Sequence, residues 1–346
     1  MSVLYLMETG ACLRRDGDAL LVTLPPDKNG HTESRKILRQ HLQQVFICGN
    51  THITTEALHL CLGEGVSVAW LTAGGKLVGM VRPPISGTPE PRMLQYKKCG
   101  RDSSLFFARQ TVLGKIRSEC RVLRLAQSNS PHPLIAQTLT RLKTFEAEAH
   151  DAKNAPTLRG VEGNAATAYF SVLSALSSQL PFTRRTRRPP KDAFNALLSF
   201  GYAHIAMLTS SLLEVRGLDP YFGFFHVLRA GRASLALDIM EEFRAPVADR
   251  FTLRAGNLRI LRPEHFMGEK GGYTLTESGR KIFYKEWEKF LTQPLPAPGK
   301  GKISLREALF GQVEKFIAAL RGEAQYSPFH TVRKPSSCGA TSSVTT

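Results

Sequence analysis

Short apolar runs, each closed by a turn signal, mark the first quarter of the chain. Ala19–Leu24 ends at Pro25-Pro26 and Gln44–Cys48 ends at Gly49-Asn50. Val66–Leu71 stops at Gly74-Gly75, after which Lys76–Val81 resumes. Runs of this length bounded by glycine and proline predict strands, and a strand, a Gly-Gly pair and a second strand predict a hairpin. Between the second and third runs, Thr54 is placed to cap a short helix through Leu62, with Gly63 and Gly65 ending it. Residues 82–91, RPPISGTPEP, hold four prolines and a glycine and read as a turn or linker. The domain boundary is placed there.

Beyond it the apolar positions recur at helical spacing. Leu105–Ala126 predicts a long helix in which Arg109, Lys115, Arg117, Arg121 and Arg124 alternate with Val112, Leu113, Ile116, Val122 and Leu123. Pro133–His150 predicts a second helix, and Gly163–Leu180, stopped by Pro181, a third. Asp192 is the expected cap of a fourth, from Ala193 to Val215, stopped by Gly217 and Pro220. Ser234 is the expected cap of a fifth over Leu235–Arg244, stopped by Pro246. Tyr273–Leu275 predicts a strand, and Thr276 begins an amphipathic helix to Leu291. Pro294–Gly301 is expected to be flexible, Ile303–Leu320 helical and the tail from Pro335 disordered. The fold class is therefore α+β: an N-terminal β-rich domain over 1–91, a mainly α-helical domain over 92–292, and a C-terminal extension with a flexible tail over 293–346.

Charge separates the same two regions. The 346 residues carry 46 Lys and Arg against 29 Asp and Glu, a net charge of +17. Residues 1–95 hold nine basic and eight acidic side chains, so the rest of the chain carries +16. A surplus so placed predicts a surface for a polyanion, nucleic acid or anionic membrane, on the second region alone. No apolar stretch reaches the ~18 residues of a membrane span, and the apolar start of the chain is too short for a secretory signal. Cys12, Cys48, Cys61, Cys99, Cys120 and Cys338 form no CxxC pair, which argues against a zinc ribbon or a redox pair. Scattered thiols are expected to be buried in a protein of a reducing cytoplasm.

Two stretches carry candidate chemistry. In Arg159-Gly160-Val161-Glu162-Gly163 a carboxylate stands at the expected entrance of an apolar helix, where the helix dipole favours it with or without a functional role. In the second, His226 follows the aromatic run Tyr221–Phe225, and Asp238, Glu241 and Glu242 crowd one helix among apolar residues. Such crowding calls for a cation or an arginine. Carboxylates with one imidazole suit Mn²⁺, or Mg²⁺ where oxygens and water complete the shell. A metal site in a strongly basic region points to phosphodiester chemistry. Arg184, Arg185, Arg187 and Arg188, in a loop of five positive charges in ten residues, and Arg229 and Arg232 are candidates for phosphate contact.

At these residues the chain resembles a known family, the CRISPR-associated adaptation integrase, the larger catalytic subunit of the spacer-acquisition complex. The likeness lies in Leu158–Gly163 with Ala165-Ala166 and Tyr169-Phe170, Leu218-Asp219-Pro220 with Gly223–His226, and Ser234–Asp238 with Glu241–Arg244. Gly114-Lys115-Ile116, Asp249-Arg250 and Thr274-Leu275-Thr276 support it, and it covers roughly residues 3–292. The resemblance implies a homodimer formed largely through the β domain, and a small ferredoxin-like partner subunit that bridges two dimers. It implies a catalytic helical domain whose Glu162, His226 and Glu241 hold Mg²⁺ or Mn²⁺, with Asp238 beside them helping to position the ion or a water. Glu241 stands where many relatives carry Asp. Residues after 292 lie outside the likeness and receive no role.

The reading that follows is a metal-dependent DNA endonuclease and integrase, cytoplasmic and prokaryotic. It inserts short double-stranded DNA fragments into a CRISPR repeat array by attack of a 3′-hydroxyl on a phosphodiester. A general metal-dependent nuclease on branched DNA or RNA would use the same residues, and a basic scaffold that binds DNA without catalysis would need none of the acidic ones.

Overall fold

The computed structural model describes residues 2–38, 42–72, 75, 77–83, 89–100, 102–269, 271–297 and 301–329. The tail from Pro335, with Cys338, lies outside them. The first region runs β1 (Ser2–Leu6), β2 (Cys12–Asp16), β3 (Ala19–Thr23), β4 (Ser34–Leu38), β5 (Leu42–Cys48), β6 (His52–Ile53), α1 (Thr55–Gly63), β7 (Ser67–Leu71) and β8 (Leu77–Val81). Two four-stranded sheets result, ordered β1-β5-β7-β8 and β4-β3-β2-β6. β1, β5 and β7 are parallel, with α1 in the connection between β5 and β7, and β8 returns antiparallel. The hairpin expected at Gly74-Gly75 thus joins β7 to β8, although Gly74 itself lies outside the described residues. Gly75 has φ +82°, and a Cβ there would overlap the Phe200 ring, so both backbone and packing demand glycine. Thr54 Oγ1 caps α1 by accepting from the Ala57 N–H at 3.3 Å. β2 and β4 escape a pattern reading because Arg14, Arg15, Arg35 and Lys36 are exposed on them; antiparallel pairing with β3 holds both.

The β1-β5-β7-β8 sheet serves two cores through its two faces. Val45, Ile47 and Val68 pack with Leu13, Leu20 and α1, whereas Phe46, Cys48, Ala69 and Leu71 join the core of the helical region. Tyr5 stacks on Phe46 with ring centroids 5.0 Å apart, and Tyr284 of the helical region lies 4.3 Å from Tyr5.

The second region begins inside the proline-rich stretch, where α2 (Glu90–Lys98) tolerates Pro91 in its first turn. It continues with α3 (Asp102–Asn129), α4 (Pro133–Asp151), α5 (Ala155–Leu176), α6 (Ala193–Val215) and α7 (Ser234–Phe243). A π-helical turn over Arg244–Asp249 leads directly into α8 (Arg250–Asn257). α6 is long and apolar enough to cross a membrane by those measures alone, but here its buried side chains make it a core helix.

Several expectations change, and the third helix also ends early, at Leu176 and not at Leu180. The third helix starts at Ala155, capped by Asn154, so Glu162 lies within its body and not at its entrance. Gly160 and Gly163 suggested a later start, yet burial of Leu158, Val161 and Ala165 carries the helix through them. Ser234 does not cap α7; its hydroxyl donates to the Val227 carbonyl oxygen. Pro246 does not end the segment either, because the wider π turn accommodates it on the way to α8.

β9 (Phe266–Glu269) and β10 (Gly272–Leu275) form a hairpin before α9 (Glu277–Thr292), which Thr276 caps. β11 (Pro294–Ala297) pairs with β12 (Gly301–Ser304) across the stretch expected to be flexible, and α10 (Leu305–Arg321) follows behind a Ser304–Glu307 capping box. Leu309, Val313 and Phe316 of α10 share the core of α3 and α7. Cys48, Cys61 and Cys120 are buried free thiols, as expected.

Candidate active site

α3, α5 and α7 converge on an ionic cluster that is buried at Lys115 and Glu241 and half-buried at Glu162. Lys115 of α3, only 4% exposed, places its ammonium against Glu162 Oε1 of α5 and 3.1 Å from Glu241 Oε2 of α7. Arg244 Nη1 donates to Glu241 Oε1 at 2.7 Å, and His226 Nε2 lies 3.8 Å from the same oxygen. Burial alone would push the Glu241 carboxyl up, but Arg244, Lys115 and His226 outweigh it and hold it well below the usual carboxylate range. Burial opposes the Lys115 charge as well, and Glu241 and Glu162 overcome burial and Arg244 to raise its pKa. Behind them Glu119 is buried, and burial pushes its carboxyl up to about 8.

The crowding of acids on α7 is resolved by separate partners. Asp238 accepts from the backbone N–H groups of Phe224, Phe225 and His226 at 2.6, 3.0 and 3.0 Å, and its Oδ1 lies 2.7 Å from His226 Nδ1. Gly223 makes this nest possible, since a Cβ there would lie 2.6 Å from Asp238 Oδ2 and 2.9 Å from the Leu235 nitrogen. Asp238 therefore acts on the ring and its loop. That hydrogen bond assigns the proton to Nδ1 and leaves Nε2 free to bind a ligand. Glu242 turns to the C-terminal segment, accepting from Gln312, Tyr326 and the Phe329 N–H.

Among the described residues no three His, Cys, Asp or Glu side chains close tightly enough to enclose an ion. The donors nevertheless fit one. Glu241 Oε2 is buried and accepts no hydrogen bond, its contact with Lys115 being an ion pair without hydrogen-bond alignment. The Lys115 ammonium, gripped by two carboxylates, marks a place built for positive charge. Two carboxylates on that ammonium, with the His226 Nε2 nitrogen 3.8 Å from Glu241 Oε1, are a donor set that matches Mg²⁺ or Mn²⁺ chemistry.

Of the six arginines, Arg184, Arg187, Arg188 and Arg229 are exposed and Arg232 half-buried. Arg185 is different: it donates to Asn195 Oδ1 at 2.8 Å and Ser199 Oγ at 3.0 Å, and its guanidinium lies 5.3 Å from the Tyr202 ring. Arg244 lies 4.2 Å from that same ring, so Arg185 braces the wall of the site. Lys115, Glu119 and Arg244 had no assigned role in the pattern reading. Arg244 carries a signal in its i,i+3 spacing from Glu241 and Lys115 one in the Gly114-Lys115-Ile116 stretch of the resemblance, whereas Glu119 carries none.

The profile described as CRISPR associated protein Cas1 matches residues 4–289, which takes in both sheets and the helices that carry the cluster. The CRISPR-associated endonuclease Cas1 3 of Thermus thermophilus is 35% identical over 338 residues, covering 95% of this chain and 97% of the relative. A solved Cas1 protein from Thermotoga maritima superposes with a TM-score of 0.79 at 25% identity, covering 95% of this chain and 100% of that one. A chain of a Cas6-RT-Cas1–Cas2 complex superposes with a TM-score of 0.75 at 25% identity, covering 96% of this chain and 36% of that one. Fold, motif order and near full-length matches agree: the chain belongs to the CRISPR-associated Cas1 family.

Proposed function

We propose that this chain is a metal-dependent DNA endonuclease and integrase that inserts short DNA fragments into a CRISPR repeat array. The observation that carries the reading is the Glu162–Lys115–Glu241 bridge, buried at Lys115 and Glu241 and half-buried at Glu162, with His226 Nε2 beside Glu241, set in the region that bears most of the positive charge. Joining is a transesterification. The 3′-oxygen of the fragment bonds to a repeat phosphorus, the phosphorus–O3′ bond of the repeat breaks, and the released 3′-oxygen takes up a proton. Glu162, His226 and Glu241 are the residues that would hold Mg²⁺ or Mn²⁺. A bound ion would supply Lewis-acid polarisation of the phosphoryl group and would lower the cost of ionising the attacking hydroxyl. Asp238 keeps the His226 ring in place and in the right tautomer. Arg184, Arg187, Arg188, Arg229 and Arg232 bind and orient phosphates, while Arg185 stiffens the loop that presents its neighbours.

The β-rich domain, residues 1–91 with almost no net charge, packs against its copy in a homodimer. The helical domain, 92–292, works on double-stranded DNA, both fragment and repeat array. A small ferredoxin-like subunit bridges two dimers, in keeping with the Cas1–Cas2 complex among the structural neighbours. The proposed setting is the prokaryotic cytoplasm, a reading that the prokaryotic origin of relatives such as that of Thermus thermophilus supports.

The test is a joining assay with labelled short duplex DNA, a repeat-bearing plasmid, the small partner and Mg²⁺ or Mn²⁺. The wild-type chain yields joined product, and Glu162→Ala combined with Glu241→Ala lowers its rate by on the order of 10²–10³-fold or more. Fragments with 5′-phosphates and no joined strand would favour a general nuclease. Full joining by the double variant would favour a DNA-binding scaffold.

A further inference from the structure

Glu242 follows Glu241 directly and is as deeply buried, yet every hydrogen bond described for it comes from the C-terminal extension. Oε1 accepts from the Tyr326 hydroxyl, and Oε2 from Gln312 Nε2 at 3.0 Å and the Phe329 N–H at 2.6 Å. Gln312 Nε2 also donates to the Ser327 carbonyl oxygen at 3.0 Å, which ties the segment to α10. Phe329 stacks on Phe243 with ring centroids 4.8 Å apart. On the far side, a Cβ at Gly114 would lie 2.9 Å from Pro328 Cβ and 2.7 Å from Glu242 Cγ. The segment, α7 and α3 therefore meet where only a glycine fits, one residue from Lys115 and one from Glu241.

We infer that residues 326–329 form a positioning strap. By gripping Glu242 and Phe243 on α7 and lying against Gly114 on α3, the strap sets the spacing of Glu241 and Lys115 relative to Glu162. A buried carboxylate that loses its donors cannot stay where it is without a desolvation cost, so a missing strap displaces α7 at the residue beside Glu241. The C-terminal extension thus belongs to the catalytic apparatus. Tyr326, Phe329 and Gln312 act through Glu242 and are positioning residues. The inference rests on the proposed reading of Glu162, His226 and Glu241 as a cation site.

The experiment measures Mn²⁺ affinity by calorimetry without DNA, together with DNA affinity, thermal unfolding and joining rate. The chains compared are the wild type, Tyr326→Phe, a chain ending at Ala324, and Glu162→Ala. Tyr326→Phe keeps the ring and removes one donor. It is expected to weaken Mn²⁺ binding by about tenfold and the shortened chain by up to about 100-fold, the usual range for losing a partner of a metal ligand. DNA affinity should change by no more than about twofold, as for substitutions remote from that surface. A merely structural role would lower the unfolding midpoint and leave Mn²⁺ affinity of the folded chain unchanged. Wild-type Mn²⁺ affinity in Tyr326→Phe overturns the strap even if the shortened chain fails to fold. Weakened binding in Glu162→Ala but in neither strap variant overturns the strap alone, whereas unchanged binding in Glu162→Ala overturns the site reading and the strap with it.

Discussion

The two regions bury different things. Among the described residues, 2–83 bury no charged side chain, and their core is Leu13, Val45, Ile47, Val68 and similar apolar groups. The helical region buries Lys115, Glu119, Asp238, Glu241, Glu242, Asp249 and Arg306. Removing charge from water costs several kcal/mol per ion, and well-packed apolar residues would often serve stability as well or better. The sheets are built for packing. The helices carry a stability cost, concentrated around Lys115, Glu241 and Arg244, and the proposed cation site gives that cost a use.

The largest effect of a single substitution is expected at Lys115. Lys115→Met leaves Glu162 and Glu241 facing each other without their cation and should lower metal-free stability by about 3–5 kcal/mol in denaturant unfolding. Added Mn²⁺ should then recover more stability in the variant than in the wild type.

Glu119 makes the helical region sensitive to pH in a way the sheets are not. Its folded pKa, about 8, lies above the ordinary 4.5 because of burial. Between those values the folded state keeps a proton that the unfolded chain releases, so this group's contribution falls as pH rises from 4.5 and is lost above about 8. Glu119→Gln cannot ionise, and its stability relative to wild type should grow between pH 5 and pH 9 by on the order of a few kcal/mol, read by unfolding at each pH.

In the sheets, Val68→Ala should cost about 2 kcal/mol at every pH and leave Mn²⁺ and DNA binding alone. The smallest change in stability belongs to the exposed arginines. Arg184→Ala, Arg187→Ala and Arg188→Ala should each move stability by less than about 0.5 kcal/mol. Combined, they should flatten the salt dependence of DNA binding by about one unit of slope for each phosphate no longer neutralised. Arg185→Ala should do the reverse, losing stability through Asn195 and Ser199.

What could be read from sequence follows from the same contrast. α6 was legible to the residue because Asp192, an apolar run and Gly217 act locally and agree with the packing. The start of α5 was not, because Gly160 and Gly163 signal a break that packing of Val161 and Ala165 overrides. β2 and β4 were invisible because their exposed charges hide strands that exist only through their partner β3. Glu162, His226, Asp238 and Glu241 do come together, but residue type alone could not show that Asp238 serves the His226 ring and backbone. By helical pattern Lys115 reads like any solvated lysine of an amphipathic helix, and only the Gly114-Lys115-Ile116 stretch of the resemblance sets it apart. Arg185 likewise reads as one of four equal arginines until Tyr202 and Asn195 are seen to hold it. The role of residues 326–329 is tertiary, since their hydrogen bonds to Glu242 span more than 80 positions in sequence.

A cation site at Glu162, His226 and Glu241 makes the folded chain bind Mn²⁺ without DNA, which calorimetry reads. One site per chain, lost when Glu162→Ala and Glu241→Ala are combined in a chain that still folds, is the result expected. Undiminished Mn²⁺ binding in that double variant would contradict the account.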